Sequence, residues 1–272
     1  MVYFFHKGGL AMIRRLTDVD PMQFPEAFRA LMEGCPVYDS SCSPAARVWL
    51  IDCEEGYYLK AAPAGALAQE AAMTSYFHTL GLGAEVLGYI QDRQDWLLTR
   101  RLPGEDCLDR QYTDNPERLC DVTGELLRQL HELSPRDCPV NRRDPYIRTA
   151  RENCRLERYD ATLFPDNWGY ASAAEAAQVM EEAADSLCCD TLIHGDYCLP
   201  NIILKDWKLS GFIDLDCAGL GDRHIDLFWG IWSLGFNLKT DKYRERFLDA
   251  YGRDRVNPEL LNAIGAFEVF LG

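Results

Sequence analysis

The chain is short of several things, and each shortage narrows its class. Positive charge is scarce: 28 Lys and Arg stand against 43 Asp and Glu, a formal net charge of −15 over 272 residues. Nucleic-acid binding rests on basic surface, so no nucleic-acid partner is expected. An acidic field does suit a cationic small molecule, whose local concentration it raises. Long apolar runs are missing as well. The least polar long stretch, Leu227 to Phe236, is too short to span a bilayer. The N-terminus has no basic segment followed by a long apolar core, so neither a signal peptide nor a membrane association is expected. The 11 cysteines form no Cys-x-x-Cys pair and have no zinc-ligand spacing. They do not read as the disulfide framework of a small secreted fold, so reduced thiols and a cytoplasmic protein are expected. Internal repeats and low-complexity segments are absent, and nothing implies a protein partner.

What is present is an ordinary globular composition, 47% hydrophobic and 26% charged, long enough for one large domain or two lobes. Residues 25–33 read as a short helix, with Pro25 in its first turn and Gly34 at its end. The small-residue stretch Ser41-Cys42-Ser43-Pro44-Ala45-Ala46 precedes two strands, Arg47 to Cys53 and Tyr57 to Ala61, joined by a turn at Gly56. Such a loop lets backbone N–H groups approach phosphate oxygens. A helix is predicted from about 66 to 80, with Met73, Tyr76, Phe77 and Leu80 as its apolar stripe. Two more strands, Glu85 to Ile90 and Trp96 to Thr99, lead to Arg100-Arg101-Leu102-Pro103-Gly104, where Pro and Gly break both strand and helix. That break marks a hinge. It divides a strand-rich lobe, residues 1–102, from a mostly helical one, residues 103–272. Helices are predicted beyond it at Pro116 to Leu133, 146–160, 172–187, Asp222 to Leu234, Lys242 to Tyr251 and Pro258 to Phe270. His131, beside the apolar stripe of the first of these, reads as a satisfied structural histidine. Asp226 reads either as a brace for a catalytic loop or as an N-cap.

The chemistry concentrates in residues 194–216. His194-Gly195-Asp196 is followed by Asn201, five residues after the Asp. Ile202 to Leu204 reads as a strand, Lys205 to Lys208 as a turn and 209–213 as the returning strand, ending on Asp214. Phosphoryl transfer needs one carboxylate to orient the nucleophile's proton, a second to hold Mg²⁺ on the phosphates, and a neutral oxygen donor to complete the metal site. Asp196, Asp214 and Asn201 supply those parts at the spacing of a protein-kinase catalytic loop. Upstream, Lys60 stands inside a strand, and Glu70, ten residues on, lies on the next helix. A strand Lys followed by a helix Glu is the ion pair with which kinases hold the α- and β-phosphates.

With these residues assembled, the chain resembles aminoglycoside phosphotransferases, most closely the 3'-phosphotransferase type. The resemblance runs from about residue 41 to the C-terminus. It is carried by Ser43-Pro44-Ala45, Tyr58-Leu59-Lys60, His194-Gly195-Asp196, Gly211-Phe212-Ile213-Asp214-Leu215 and Glu268-Val269-Phe270. It implies an α+β, protein-kinase-like bilobal fold and the cofactors ATP and Mg²⁺. By the same resemblance Asp196 is the catalytic Asp, and Asn201 and Asp214 are the Mg²⁺ ligands. Lys60 holds the phosphates, Glu70 orients Lys60, and Ser43 lies on the loop over the phosphates. Backbone groups of Arg100 and Leu102 meet adenine, and Asp166 and Glu268 meet ammonium groups of the substrate. The implied reaction is transfer of the γ-phosphate to an aminoglycoside hydroxyl. A kinase of another small hydroxyl compound is the alternative, and a regulatory pseudokinase a third. The substrate positions depart from the family's pattern. Leu199 stands where an acidic residue is usual, Cys217 where Arg is usual, and Trp232 and Phe236 where the next helix is usually polar. Leu199→Asp is therefore expected to improve turnover, unless Leu199 packs in the core.

Overall fold

Antiparallel pairing of neighbouring segments builds the first half of the protein. The structure, a computed structural model, describes residues 14–42, 44–53, 55–160 and 169–271. Ser43 and Asp166 therefore lie outside the described residues. The described chain divides into two compact units. One comprises residues 14–110 and 200–216, the other 111–199 and 217–271. The hairpin after Asn201 thus clusters with the strand-rich unit, although helices separate the two in sequence.

In the strand-rich unit, β1 (Arg15–Leu16), β2 (Val37–Asp39), β3 (Arg47–Ile51), β4 (Tyr57–Pro63), β5 (Val86–Gln91) and β6 (Gln94–Arg100) form one sheet in the order β1-β2-β3-β4-β6-β5. Every pairing in it is antiparallel. Trp49 of β3 and Trp96 of β6 stack at 6.0 Å, with Phe24 edge-on to both, so the core of this sheet is aromatic. The predicted helix at 25–33 is only one turn, α1 (Glu26–Arg29). Helix α2 (Ala68–Thr79) follows β4 and buries Met73 and Phe77. After β6, β7 (Glu105–Asp106) pairs with β9 (Ile202–Lys205), and β9 pairs with β10 (Lys208–Phe212). Gly104, at φ +109°, is what lets the chain pass β9. A Cβ there would lie 2.1 Å from the carbonyl oxygen of Leu204. Asp206 and Trp207 both adopt positive φ, so the hairpin closes in a two-residue turn.

The cysteine expectation needs a correction. Cys35 and Cys53 form a disulfide, with Cα atoms 5.5 Å apart. The β2–β3 pairing places them opposite each other: Val37 faces Ile51, and the Asp52 N–H donates to the Pro36 carbonyl at 2.9 Å. The other nine cysteines are free.

The helical unit contains α4 (Pro116–Glu132), α5 (Arg143–Arg155), α6 (Ala173–Ala183), α7 (Arg223–Leu238), α8 (Arg244–Tyr251) and α9 (Pro258–Glu268), with α3 (Arg110–Thr113) a single turn ahead of them. A two-stranded ladder, β8 (Thr191–Ile193) with β11 (Gly219–Gly221), flanks the loop that begins at His194. Helix α7 begins where the Asp222 side chain accepts the His224 N–H at 2.9 Å. Helix α9 begins on Pro258, with Asn257 Oδ1 accepting the N–H groups of Glu259 and Leu260. Ile225, Trp229, Ile264 and Phe267 are among the core residues where these helices meet. No helix among the described residues is long and apolar enough to cross a membrane.

Candidate active site

Lys60 points from β4 toward two carboxylates. Its Nζ lies 3.0 and 2.8 Å from the oxygens of Glu70 and 2.9 Å from Oδ1 of Asp214. The three residues come from a strand, a helix and the loop after a hairpin, all within the strand-rich unit. Burial opposes the charge on Lys60, but Asp214 and Glu70 outweigh it and raise its pKa above the usual lysine value. Lys60 is therefore an ammonium at physiological pH. Glu70 is 5% exposed, whereas the Asp214 side chain is 54% exposed. One carboxylate is structural in character, and the other faces solvent.

The hairpin sets the position of Asp214. The Ile213 N–H donates to the Asn201 carbonyl at 3.1 Å, which closes the open end of β9–β10 and brings Asn201 and the Asp214 segment together. Phe212 packs edge-on against Phe77 of α2, and its N–H donates to the Leu82 carbonyl at 2.7 Å. Asp214 has φ +55°, a left-handed conformation uncommon for a non-glycine residue and enriched at functional loops. Gln69 donates from its side chain to the Asp216 carbonyl. Helix α2 therefore fixes both ends of this cluster, Lys60 through Glu70 and the post-Asp214 segment through Gln69. Sequence reasoning missed Gln69, because a polar helix residue next to Glu70 carries no signal of its own.

The metal question turns on donor chemistry. Asn201 and Asp214 offer oxygen donors, one neutral and one anionic. Among the described residues, no group of three or more His, Cys, Asp or Glu is arranged to hold an ion. Mg²⁺ does not require such a cage: it is usually bound by one or two protein oxygens together with substrate phosphates and water. The residues present fit Mg²⁺ carried with a nucleotide.

At the end of β6, the Arg100 N–H donates to the Glu85 carbonyl at 2.9 Å.

The loop at residues 194–199, which carries Asp196, belongs to the helical unit, and α7 holds it. Asp226 is fully buried and accepts the N–H groups of His194 (2.8 Å) and Gly195 (2.7 Å). His131 of α4 completes the arrangement. Its Nε2 is 3.0 Å from Asp226, and its Nδ1 is 2.9 Å from the Tyr251 hydroxyl. Burial lowers the His131 pKa despite Asp226, so a neutral ring donating from Nε2 and accepting at Nδ1 satisfies every partner. Of the two sequence readings of Asp226, the brace is the one observed; Asp222 is the cap. Gly195, at φ +83°, allows the loop to press on its neighbour, since a Cβ would lie 2.0 Å from the Cys217 carbonyl oxygen. The Tyr197 hydroxyl donates to the Thr123 carbonyl at 2.8 Å, and the Leu199 N–H to Ser233 Oγ at 2.9 Å. Asp196 itself stays half-exposed at the head of this loop.

Two expectations about the acceptor side change. Leu199 is 2% exposed, so it packs in the core and offers no position for a carboxylate. Leu199→Asp would therefore place a carboxyl in a closed apolar site and not in a pocket open to substrate. Glu268 is 4% exposed and accepts the Tyr146 hydroxyl at 2.7 Å. Burial, together with the charge of Asp196, raises its pKa to about 7, against the hydrogen bonds from Tyr146 and Trp229. It is a latent carboxylate, close enough to Asp196 to feel its charge.

A family model described as the phosphotransferase enzyme family, APH, matches residues 41–261. The chain belongs to this family. A protein of Lactococcus lactis subsp. lactis (strain IL1403), named "Probable aminoglycoside 3'-phosphotransferase", is 48% identical over 250 residues, 91% of this chain and 95% of its own length. The crystal structure of an aminoglycoside-3'-phosphotransferase of type VIII superposes with a TM-score of 0.71 at 23% identity, covering 93% of this chain and all of the other. Aminoglycoside phosphotransferase APH(3'')-Id from Streptomyces rimosus ATCC10970, in complex with ADP and streptomycin, superposes with a TM-score of 0.61 at 24% identity, over 85% and 90% of the two chains. This phosphotransferase thus has the α+β, protein-kinase-like fold.

Proposed function

We propose that the enzyme transfers the γ-phosphate of ATP to a hydroxyl of an aminoglycoside, the 3'-hydroxyl being the favoured position. The observation that carries this reading is the Lys60 ammonium held between buried Glu70 and exposed Asp214. That is the arrangement needed to receive nucleotide phosphates with their metal. Relatives named for aminoglycoside phosphorylation, one at 48% identity, support the acceptor class.

In this reading Lys60 donates to the α- and β-phosphates, and Glu70 keeps its ammonium aimed. Asn201 and Asp214 would hold Mg²⁺, which would supply charge neutralisation on the phosphates. Asp196 accepts the proton of the acceptor hydroxyl as its oxygen bonds to the γ-phosphorus. The bond from that phosphorus to the bridging oxygen breaks, and ADP leaves with the electron pair. Asp226 acts through the backbone of residues 194 and 195, keeping Asp196 in register. Glu268 is the acceptor-side carboxylate: an ammonium group brought beside it favours its ionised form. Adenine sits against the backbone of Arg100 and Leu102. Ser43 and Asp166 keep the phosphate-loop and acceptor roles that the resemblance gives them. A cytoplasmic location belongs to the same proposal, since ATP is the donor, and Cys35–Cys53 would there be open to reduction.

A second reading, a kinase for a less cationic hydroxyl compound, draws on one observation: the half-exposed Trp232 and Phe236, where the family is usually polar, stack as an apolar pair on α7. A coupled ADP-release screen over aminoglycosides and other hydroxyl compounds tests both. Turnover of an aminoglycoside supports the first. Turnover confined to a non-aminoglycoside replaces it with the second.

A further inference from the structure

The one disulfide among the described residues lies where it can act on the nucleotide side, and nothing proposed above uses it. Cys35 and Cys53 are 18 residues apart in sequence. Between them run β2, the small-residue stretch that contains Ser43, and β3. Val37 pairs with Ile51 and Asp39 with Trp49, so the same register continued puts Cys35 directly opposite Cys53. The Asp52 N–H, donating to the Pro36 carbonyl at 2.9 Å, carries the ladder up to the disulfide. The bond therefore closes the open end of the β2–β3 hairpin, and the stretch that joins the strands lies at the other end. Four residues of strand, about 13 Å, separate the two ends.

The two strands are unequally held. β3 pairs with β4 over five residues. The turn after β3 is tied to the segment that follows β6: Asp52 accepts Arg101 Nη1 at 3.4 Å, and the Gly56 carbonyl accepts the Arg101 N–H at 3.0 Å. β2 is only three residues long, and its outer neighbour β1 pairs with it over two. Toward the joining stretch, one more backbone bond links the strands, from the Ser40 N–H to the Val48 carbonyl at 2.8 Å. The rest is side-chain contact: the Val48 N–H donates to Ser41 Oγ at 2.9 Å, and Arg47 pairs with Asp39 at 3.6 Å. An exposed ion pair of that kind contributes little. With the disulfide open, β2 and the residues at its end are thus the part free to shift, while β3 and the backbone of Arg100 and Leu102 stay in place.

The disulfide is also within reach of solvent. Both cysteines are half-buried at the margin of the aromatic core, and Gly34, Pro36 and Asp52 beside them are exposed. A disulfide so placed is open to thiol exchange.

We propose that Cys35–Cys53 is a reversible redox site that sets the affinity for ATP through its phosphates: closed, it pre-orders the end of the hairpin that meets them, and opened, it lets that end shift. This rests on the nucleotide reading above. A thiolate of a dithiol reductant bonds to one sulfur of the pair, and the S–S bond breaks. The second sulfur leaves with the electron pair and takes a proton. The reductant's other thiol then displaces the first cysteine, so two electrons and two protons pass to the pair and the reductant ends as a disulfide. Oxidised glutathione, reduced in turn to two thiols, runs the exchange backwards.

The wild type would be prepared in dithiothreitol or in oxidised glutathione, with the state of each cysteine mapped by alkylation and peptide mass spectrometry. ATP with Mg²⁺ would be titrated onto both forms and onto Cys35→Ala/Cys53→Ala, and adenosine measured by competition. Opening the bond should weaken ATP binding by about 2–10-fold, the range for leaving one loop side chain to be ordered on binding. Adenosine, which has no phosphates, should bind both forms alike. The double variant should match the opened form in either buffer. The proposal is overturned if the pair stays closed in dithiothreitol or open in oxidised glutathione, or if ATP binds the two mapped forms equally. It is overturned as well if adenosine binding weakens as much as ATP binding, or if the double variant still responds to dithiothreitol. Should the double variant fail to fold, the mapped wild-type forms decide alone. If ATP binds neither form, the nucleotide reading falls and takes this proposal with it. If ATP binds and the two forms do not differ, only the redox role falls.

Discussion

The two units of this phosphotransferase hold their important carboxylates in opposite ways. In the strand-rich unit, Asp214 is half-exposed and paired with a full positive charge, Lys60. In the helical unit, Asp226 and Glu268 are buried and held mainly by neutral donors: backbone N–H groups, an imidazole and a phenol. A carboxylate paired with a cation at the surface can exchange that partner for a metal or a phosphate-bound ion. A carboxylate held by neutral donors in the interior either fixes geometry, as Asp226 does, or must ionise before it can attract a cation, as Glu268 must. The first unit therefore presents a charged carboxylate to solvent, and the second uses its buried carboxylates to fix position.

The sharpest way to break this contrast is to remove the one exposed acid of the helical unit's loop. Asp196→Ala should lower kcat by about 10²–10⁴, the contribution of a positioned base. ATP affinity should hold, because Lys60, Asn201 and Asp214 all belong to the other unit. Steady-state kinetics with a nucleotide-binding titration check this; wild-type kcat on a confirmed acceptor would show that Asp196 does not take the proton.

On the charge-meeting side, Asp214→Asn should weaken ATP binding chiefly when Mg²⁺ is present, and Lys60→Ala should lower kcat/KM for ATP with or without extra metal. Losing a charge that meets phosphate or metal contributes about 10²-fold in such sites. Titrating ATP at several Mg²⁺ concentrations distinguishes the two. An Asp214→Asn enzyme with unaltered Mg²⁺ dependence would move the metal site, with Asp216 the next carboxylate along the loop.

The same contrast explains what the sequence made legible. Lys60, Glu70, Asn201 and Asp214 lie on a strand, a helix and a hairpin that local patterns predict, and their chemistry limits them to few roles. The hairpin is found with its turn at Asp206-Trp207, inside the predicted Lys205–Lys208. Asp226 could be read only as a brace or a cap, because deciding between them needs the distance to His194. Short strands such as β1, β7, β8 and β11 gave no signal, since two or three residues show no period and form only where a partner strand fixes them. The Cys35–Cys53 pair is invisible for the same reason: 18 residues separate the thiols until β2 and β3 pair. Leu199 was read through a family pattern, and burial overrules that reading.

Burial at Leu199 makes its own prediction. Leu199→Asp should destabilise the helical unit by about 3–5 kcal/mol, since it removes packed apolar atoms and places a carboxyl in a closed site. Thermal melting with and without ATP measures it. A variant as stable as the wild type would mean that the loop opens readily and that Leu199 lines accessible space after all.

The smallest effect tests whether Glu268 is latent, as its surroundings imply. Its carboxyl ionises near 7 when folded, against 4.5 for an unperturbed glutamate, with burial the largest cause and the charge of Asp196 adding to it. Between those two values the folded protein keeps a proton that the unfolded chain has released. The stabilisation from the neutral form is thus fully present below about pH 4.5 and is lost as pH rises through 7, amounting to about 1–3 kcal/mol. Glu268→Gln cannot ionise, so its melting temperature relative to the wild type should rise between pH 5 and pH 8. Asp196→Asn, which removes the neighbouring charge, should move the wild-type transition to lower pH. A constant difference between Glu268→Gln and wild type across that range would mean that Glu268 is already ionised in the folded protein throughout it. The acceptor side would then meet cations with a standing charge, as the nucleotide side does, and the contrast between the two units would narrow to Asp226 alone.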